Sequence, residues 1–241
     1  INVSSDKYGL MPKSYINSIL EKDIYESRNV DGIKMQKLLK SLARNESTIV
    51  SNNTLIRDIS DNDDFNIDKR TVSEYLDILD NLNLFSNQPS YSSNYRSPER
   101  IGKNEKKHFT DPSLAVALLN LNSKKMIEDL KTFGFLFESL VERDLRIYMD
   151  YLNGKLYHFR DNVTGLEVDS ILEFENGEYA AVEIKLGFEE FEEARDNLLK
   201  FSSNMKKKPK FMCVICGYNE NIVKDPKSGV YLVPITALKP E

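Results

Sequence analysis

Cysteine is nearly absent: Cys213 and Cys216 are the only two in 241 residues. They fall in Phe211-Met212-Cys213-Val214-Ile215-Cys216, an apolar run read as a strand, where residues three apart face opposite ways. Two thiols do not complete a zinc site, so both are expected to be buried and inert. Histidine is as scarce. His108 and His158 are too isolated for a zinc centre or a catalytic triad, and His158, on an expected strand, is read as structural, with a place beside a site left open. Hydrophobic residues make up 40% of the chain, yet no run is long enough for a membrane span or a secretory signal. A cytoplasmic location without membrane contact is therefore expected. No Gly-x-x-x-x-Gly-Lys-Ser/Thr loop is present, so ATP is not expected to be bound here by a P-loop. Basic charge is outweighed: 33 Lys and Arg stand against 38 Asp and Glu, a net charge of -5. Attraction to phosphate must then be local. No internal repeat is visible.

What is present is concentrated between Gly165 and Gly187, GLEVDSILEFENGEYAAVEIKLG, which reads as two strands joined by Glu175-Asn176-Gly177. Two loop lengths compete. A two-residue Asn-Gly loop pairs Glu175 with Glu178 and puts Asp169 opposite Ile184, on the other face from Glu183 and Lys185. A three-residue loop ending in a left-handed Gly177 pairs Phe174 with Glu178 and puts Asp169 across from Glu183. In that register Val168, Leu172 and Phe174 share an apolar face with Ala180, Val182 and Ile184, while Asp169, Glu183 and Lys185 share the other. A one-residue slip inverts every side chain, so burial of the apolar face favours the longer loop. Opposed Cβ atoms lie roughly 5 Å apart. Two carboxylates that close need a cation or a proton. Oxygen donors suit magnesium or manganese, and Lys185 is placed to orient water or offset charge on a phosphate. A solvated strand face of alternating charge is the bland alternative.

The flanking residues give a compatible order. Phe133, Phe137, Leu140, Val141, Leu145 and Tyr148 predict an amphipathic helix over residues 133–151, with Glu138 on its flank toward the sheet. A strand around 156–159, the hairpin, a charged helix over 189–204 and strands around 211–216 and 230–234 follow. A sheet with helices against it buries such pieces.

The first half reads differently. Met35, Leu38, Leu39 and Leu42 form one helical stripe; Thr54, Leu55 and Ile59 suggest a shorter helix. A third is predicted from Asp68, its cap, to about Leu84, with Val72, Leu76, Leu79 and Leu82 buried. Three helices and a polar extension read as a winged helix-turn-helix, whose third helix opens with Lys69, Arg70, Thr71 and Ser73, side chains able to meet phosphates or base edges. Winged helices also bind proteins, and Asp61, Asp63 and Asp64 lie just upstream, so DNA reading stays open. Residues 89–104 read as a linker or wing. Arg96, Arg100, Lys103, Lys106 and Lys107 form a local basic strip, either a solvated loop or a path for nucleic acid. Lys206, Lys207, Lys208 and Lys210 read as a lysine-rich helix end.

Asp169 followed by Glu183-Ile184-Lys185 resembles the active-site signature of the restriction-endonuclease-like superfamily, the PD-(D/E)xK nucleases. Residues 132–141, TFGFLFESLV, and 108–114, HFTDPSL, are similar to the C-terminal domain of unknown function of prokaryotic AAA-type ATPases, and the similarity covers nearly the whole chain. The resemblance implies an ATPase module, then a winged helix, then a nuclease-like domain. It assigns Mg or Mn to Asp169 and Glu183, with the Ile184 carbonyl as a further ligand, water to Lys185, and an extra acidic role near the metal to Glu138. Val168 replaces the proline usually written before the first aspartate. No glutamine follows in the helix after Lys185; Asn197 is the nearest amide.

The expected fold class is α/β: an N-terminal winged helix-turn-helix followed by a restriction-endonuclease-like mixed sheet flanked by helices. Residues 1–30, with a helix over 14–25, are expected to connect to a missing N-terminal ATPase that holds the ATP; residues 31–104 form the winged-helix-like domain and 105–241 the nuclease-like one. Two functions stay open. One is a Mg- or Mn-dependent phosphodiesterase acting on DNA rather than RNA. The other is a non-catalytic nucleic-acid- or protein-binding module that regulates the ATPase.

Overall fold

The computed structural model describes residues 10–21, 30–60, 67–97, 100 and 105–239. Residues 22–25 of the expected connecting helix, Asp61, Asp63, Asp64 and Lys103 lie outside the described residues. The chain is a mixed α/β protein with two compact units, one from residues 1–87 with 107–136, the other from 88–106 with 137–241. Among the described residues it has eight α-helices and a six-stranded mixed sheet, and no helix is long and apolar enough to cross a membrane.

The first unit is helical: α1 (Leu10–Ile19), α2 (Gly32–Arg44), α3 (Asn52–Ser60), α4 (Lys69–Asn81), α5 (Pro112–Leu118) and α6 (Ser123–Glu128). Asp68, the cap expected from the sequence, accepts from Thr71, and the Asp31 carboxylate caps α2 by accepting from the amides of Ile33 and Lys34. Each satisfies donors that a helix start leaves open. Met35, Leu38 and Leu42 of α2 meet Leu55 and Ile59 of α3 and Val72 and Leu79 of α4 in one core. The Asp58 carboxylate accepts from Ser41, Arg44 and Asn45, tying α3 to the end of α2. After α4, Phe85 pairs with Phe109, their rings 4.4 Å apart.

The second unit is layered. The long helix α7 (Leu130–Tyr151), from Phe137 on, precedes β1 (Lys155–Arg160), β2 (Glu167–Glu173), β3 (Tyr179–Lys185), α8 (Phe191–Asn204), β4 (Phe211–Cys216), β5 (Val223–Lys224) and β6 (Tyr231–Pro234). The order across the sheet is β1-β2-β3-β4-β6-β5. β1, β2 and β3 run antiparallel; β3, β4 and β6 are parallel. The return from β3 to parallel β4 passes through α8, the kind of crossover that parallel pairing requires. The two-residue β5 has no alternation of its own to announce it, and both its residues are exposed.

The hairpin adopts the longer loop. Phe174 donates to Glu178, Gly177 donates back to Phe174, and Gly177 has φ +73°. The pairing runs from Glu173 with Tyr179 to Ser170 with Val182, and beyond it the Asp169 carboxylate accepts from the Ile184 amide of β3. The expectation of a single apolar face is corrected, because both faces are covered. Phe137, Val141, Leu145 and Met149 of α7 pack on Leu172, Ala180, Val182 and Ile184; Ala194, Leu198 and Phe201 of α8 pack on Val168, Ile171, Tyr179 and Ala181. Val168 is on the α8 side, not beside Leu172. The reason is a β-bulge: Tyr157 opposes Ile171 and Phe159 opposes Val168, so His158 alone faces both Asp169 and Ser170. A bulge re-aims the side chains beyond it.

Residues 88–91 are not a free linker or wing. Ser90 pairs in parallel with His158, Tyr91 donates to the His158 carbonyl, and His158 donates to that of Pro89. The Tyr91 ring packs against Tyr157 and Tyr179. Cys213 and Cys216 are both buried and free, and burial pushes the Cys213 thiol up to about 12.

Candidate active site

Four elements of the second unit converge at the bulged end of the β2–β3 pair. β3 supplies Glu183 and Lys185, spaced two apart and therefore on one face, and β2 supplies Glu167 and Asp169. Lys185 Nζ lies 3.0 Å from Glu183 Oε2 and 3.8 Å from Asp169 Oδ2. The Ile184 amide donates to Asp169 Oδ2 at 2.8 Å, which locks this carboxylate against the neighbouring strand. From α8, the Asn197 amide donates to Glu183 Oε1 at 2.7 Å and to the Glu167 carbonyl at 2.6 Å. From α7, Glu138 reaches the same cluster through Lys106, whose Nζ is 2.9 Å from Glu138 Oε1, 2.9 Å from Glu167 Oε1 and 3.8 Å from Asp169 Oδ1.

Lys106 is therefore not part of an exposed basic strip. Its side chain is 3% exposed, and it reaches the cluster because its backbone exchanges two hydrogen bonds with Gln88. The buried Gln88 amide nitrogen in turn lies 3.0 Å from the Asp169 carbonyl, 3.2 Å from that of Tyr157 and 3.3 Å from Ser170 Oγ. Arg100 is also occupied: it makes a double hydrogen bond with Glu173 and sits over the rings of Tyr91, Tyr95 and Tyr157.

The electrostatics follow from crowding. Burial, then the charge of Asp169, pushes the Glu183 carboxyl up to about 8 against the pull of Lys185 and Asn197. Burial pushes Glu138 up to about 7, with Lys106 opposing and Asp169 adding. Burial works against both ammonium groups, yet their carboxylate neighbours outweigh it and hold Lys106 and Lys185 above the usual lysine range. Glu142, one turn along α7, is likewise raised to about 7 by burial, opposed by its partner Arg146. The four carboxylates Glu138, Glu167, Asp169 and Glu183 still outnumber the cations that touch them, Lys106, Lys185 and, at the rim, Arg160.

Among the described residues, no group of three or more His, Cys, Asp or Glu side chains is gathered so as to hold a metal by itself. The donors on offer are Asp169, Glu183 and the Ile184 carbonyl between strand neighbours. Hard oxygen donors of this kind suit a magnesium-sized ion, which keeps much of its shell as water and substrate phosphate.

The expected nucleic-acid contacts fall in both units. In the first unit Lys69 and Arg70 are exposed, Arg70 pairing with Glu74 one turn on. Thr71 is held at the helix start by Asp68, and the Ser73 hydroxyl accepts from Asn52. Lys107 is half-buried, its backbone paired with Thr48. In the second unit Arg96 is exposed. Glu167, Gln88 and the placement of Lys106 were missed from sequence. Glu167 carried a signal, two residues before Asp169 on one strand; Gln88 and Lys106 carried none.

Residues 3–125 match a domain of unknown function, DUF8612. The chain belongs to that family. Residues 133–238 match a second domain of unknown function, DUF4143, and this stretch holds Glu138, Glu167, Asp169, Glu183, Lys185 and Asn197, whereas Lys106 falls within the DUF8612 match. No curated protein matches the chain.

Proposed function

We propose that the cluster at the bulged end of β2 and β3 is the active site of a Mg- or Mn-dependent nuclease, that the second unit is a restriction-endonuclease-like core, and that the first unit is a winged helix. The observation that carries this reading is the convergence of the Asp169 and Glu183 carboxyl groups within 3.8 Å of the Lys185 ammonium. A bound divalent cation supplies Lewis acidity and acidifies water. Asp169 and Glu183, with the Ile184 carbonyl, are the residues to hold it. The Ile184 amide and Asn197 fix the rotamers of the two carboxylates, so the site is set before substrate arrives. Lys185, still 27% exposed, donates to the attacking water or to a phosphate oxygen and offsets the charge that grows there. Glu138, raised by burial, holds or accepts a proton beside Asp169. The exposed Lys69, Arg70 and Arg96 provide phosphate contacts, with DNA as the preferred substrate, and the similarity to AAA-type ATPase C-terminal domains supports an ATPase as the partner that controls access.

One observation favours a second reading, a non-catalytic binding module: Asp169 already has an ammonium group 3.8 Å from each oxygen. The two separate on single- and double-stranded DNA and on RNA incubated with the purified chain and Mg2+ or Mn2+. Cleavage that Lys185→Ala abolishes supports the nuclease. No cleavage of any substrate, with DNA binding unchanged by Asp169→Ala and Glu183→Ala, overturns it in favour of the module.

A further inference from the structure

Lys106 is the feature of the cluster that neither the hairpin nor the signature explains. It is the most buried of the basic side chains that pair here, 3% exposed against 27% for Lys185 and 46% for Arg160. Its ammonium group lies at equal distance from Glu138 and Glu167, so it bridges α7 and β2. Its position is built in: the paired backbones of Gln88 and Lys106 and the Gln88 amide on the Asp169 carbonyl tie the lysine to the bulge that aims Asp169. Asp169 is the carboxylate that neither lysine holds closely. Both ammonium groups stop 3.8 Å away, and its short contact is with the Ile184 amide.

We infer that the Lys106 ammonium is a built-in counter-cation, which holds Glu138, Glu167 and Asp169 together in the metal-free protein and competes with a divalent cation for the cluster. The inference rests on reading Asp169 and Glu183 as the divalent-cation site. The physical basis is Coulombic. A unit charge about 4 Å from a carboxylate interacts strongly in a partly buried site, and a buried cation that is fixed there repels a second one. Removing the charge leaves three carboxylates without a common partner, which weakens the metal-free fold and strengthens attraction for Mn2+. Lys106 is thus a positioning residue whose charge sets the affinity for metal. It also makes that affinity depend on a segment outside the DUF4143 match.

The test is Mn2+ titration of the full chain by calorimetry, with thermal unfolding in EDTA and in Mn2+. Lys106→Met is expected to melt lower in EDTA, to recover more of its stability with Mn2+ than the wild type does, and to bind Mn2+ at least about tenfold more tightly. Lys106→Arg, which keeps the charge, is expected to bind Mn2+ as the wild type does. Lys106→Gln, which keeps a hydrogen-bonding head without the charge, serves where Lys106→Met does not fold. Unchanged Mn2+ affinity in the neutral variants, failure of either to bind Mn2+, or failure of both to fold with or without Mn2+ overturns the inference. DNA cleavage is scored apart. Tighter Mn2+ binding without cleavage by any variant sinks the nuclease reading and leaves the role of Lys106 standing.

Discussion

Two lysines flank Asp169 at the same distance and by different routes. Lys185 arrives through the hairpin, two residues after Glu183 on the same strand, and keeps its outer side in solvent. Lys106 arrives from a segment far upstream in the chain, through its backbone pairing with Gln88, and is enclosed by Glu138, Glu167 and Asp169. The contrast separates a group that is free to meet a substrate from one that the fold consumes. Lys185 has carboxylates on one side and water on the other, whereas Lys106 has carboxylates on three.

Removing either charge tests that division most directly. Breaking a buried pair by deleting one partner costs about 3–5 kcal/mol, because the other charges stay behind unpaired. Lys106→Met in EDTA is expected to lose that much in urea unfolding. Lys185→Met is expected to lose less, about 1–2 kcal/mol, since Glu183, already raised to about 8, takes up a proton and Asp169 keeps Lys106 and the Ile184 amide. Equal losses from the two variants break the distinction between an enclosed cation and a substrate-facing one.

The Lys106 route is sharpened at Gln88. Its side chain is buried and serves the Asp169 and Tyr157 carbonyls, so Gln88→Leu leaves those acceptors without their donor at a cost of about 1–3 kcal/mol. The variant is also expected to loosen Lys106, seen as faster exchange of the Lys106 amide with solvent, while the Tyr179 to Lys185 amides keep their protection. Loss of protection along β3 instead means that the bulge, not the Lys106 arm, depends on Gln88.

This contrast tracks what is legible in the sequence. Glu183 and Lys185 were readable as a pair because their common face depends only on strand alternation, which is local, whereas Asp169 reaches them from a bulged strand. The helices α2 and α4 were readable for the same reason, from their 3.6-residue stripes and, for α4, from the Asp68 cap. Lys106 was not. It sits among basic residues with no periodic pattern, and nothing local distinguishes a lysine that enters a core from one that solvates a loop. The bulge at His158 was equally hidden: Asp169-Ser170 has the composition of an ordinary strand interior, and only its pairing with β1 shows the extra residue. Arg100 illustrates the same gap, since its stack on three tyrosines exists only after residues 91 and 157 meet.

The two ends of the cluster also differ in acidity, which gives a pH comparison. Glu138, on the Lys106 side, is raised to about 7 and Glu183, on the Lys185 side, to about 8, both from an ordinary value of 4.5. A folded state that keeps protons the unfolded chain has released loses stability as pH rises. The contribution is full below pH 4.5 and falls by about 1.4 kcal/mol per pH unit for each proton so held. Metal-free protein is therefore expected to weaken from pH 4.5 up to about 7 through Glu138 and up to about 8 through Glu183. Glu183→Gln is expected to flatten the pH 7 to 8 part of the denaturation profile, and Glu138→Gln only the part below 7. A profile that rises over this range contradicts the burial argument.

The smallest expected effect lies at Gly177. Its φ of +73° favours glycine, and an added Cβ meets only the Tyr95 hydroxyl at 3.8 Å, an ordinary contact. The cost of Gly177→Ala is then backbone strain alone, about 1 kcal/mol. The register is held twice, by this turn and by burial of apolar side chains on both faces of the hairpin. A slip of one residue drives each of those side chains into the other core and repacks both at once, at well over the roughly 1 kcal/mol of the turn. Gly177→Ala is accordingly expected to lower stability slightly while NOE contacts still place Ser170 across from Val182. If those contacts vanish, the turn rather than the two buried faces sets the register, and the Lys185 side of the site is as dependent on a single local feature as the Lys106 side is on Gln88.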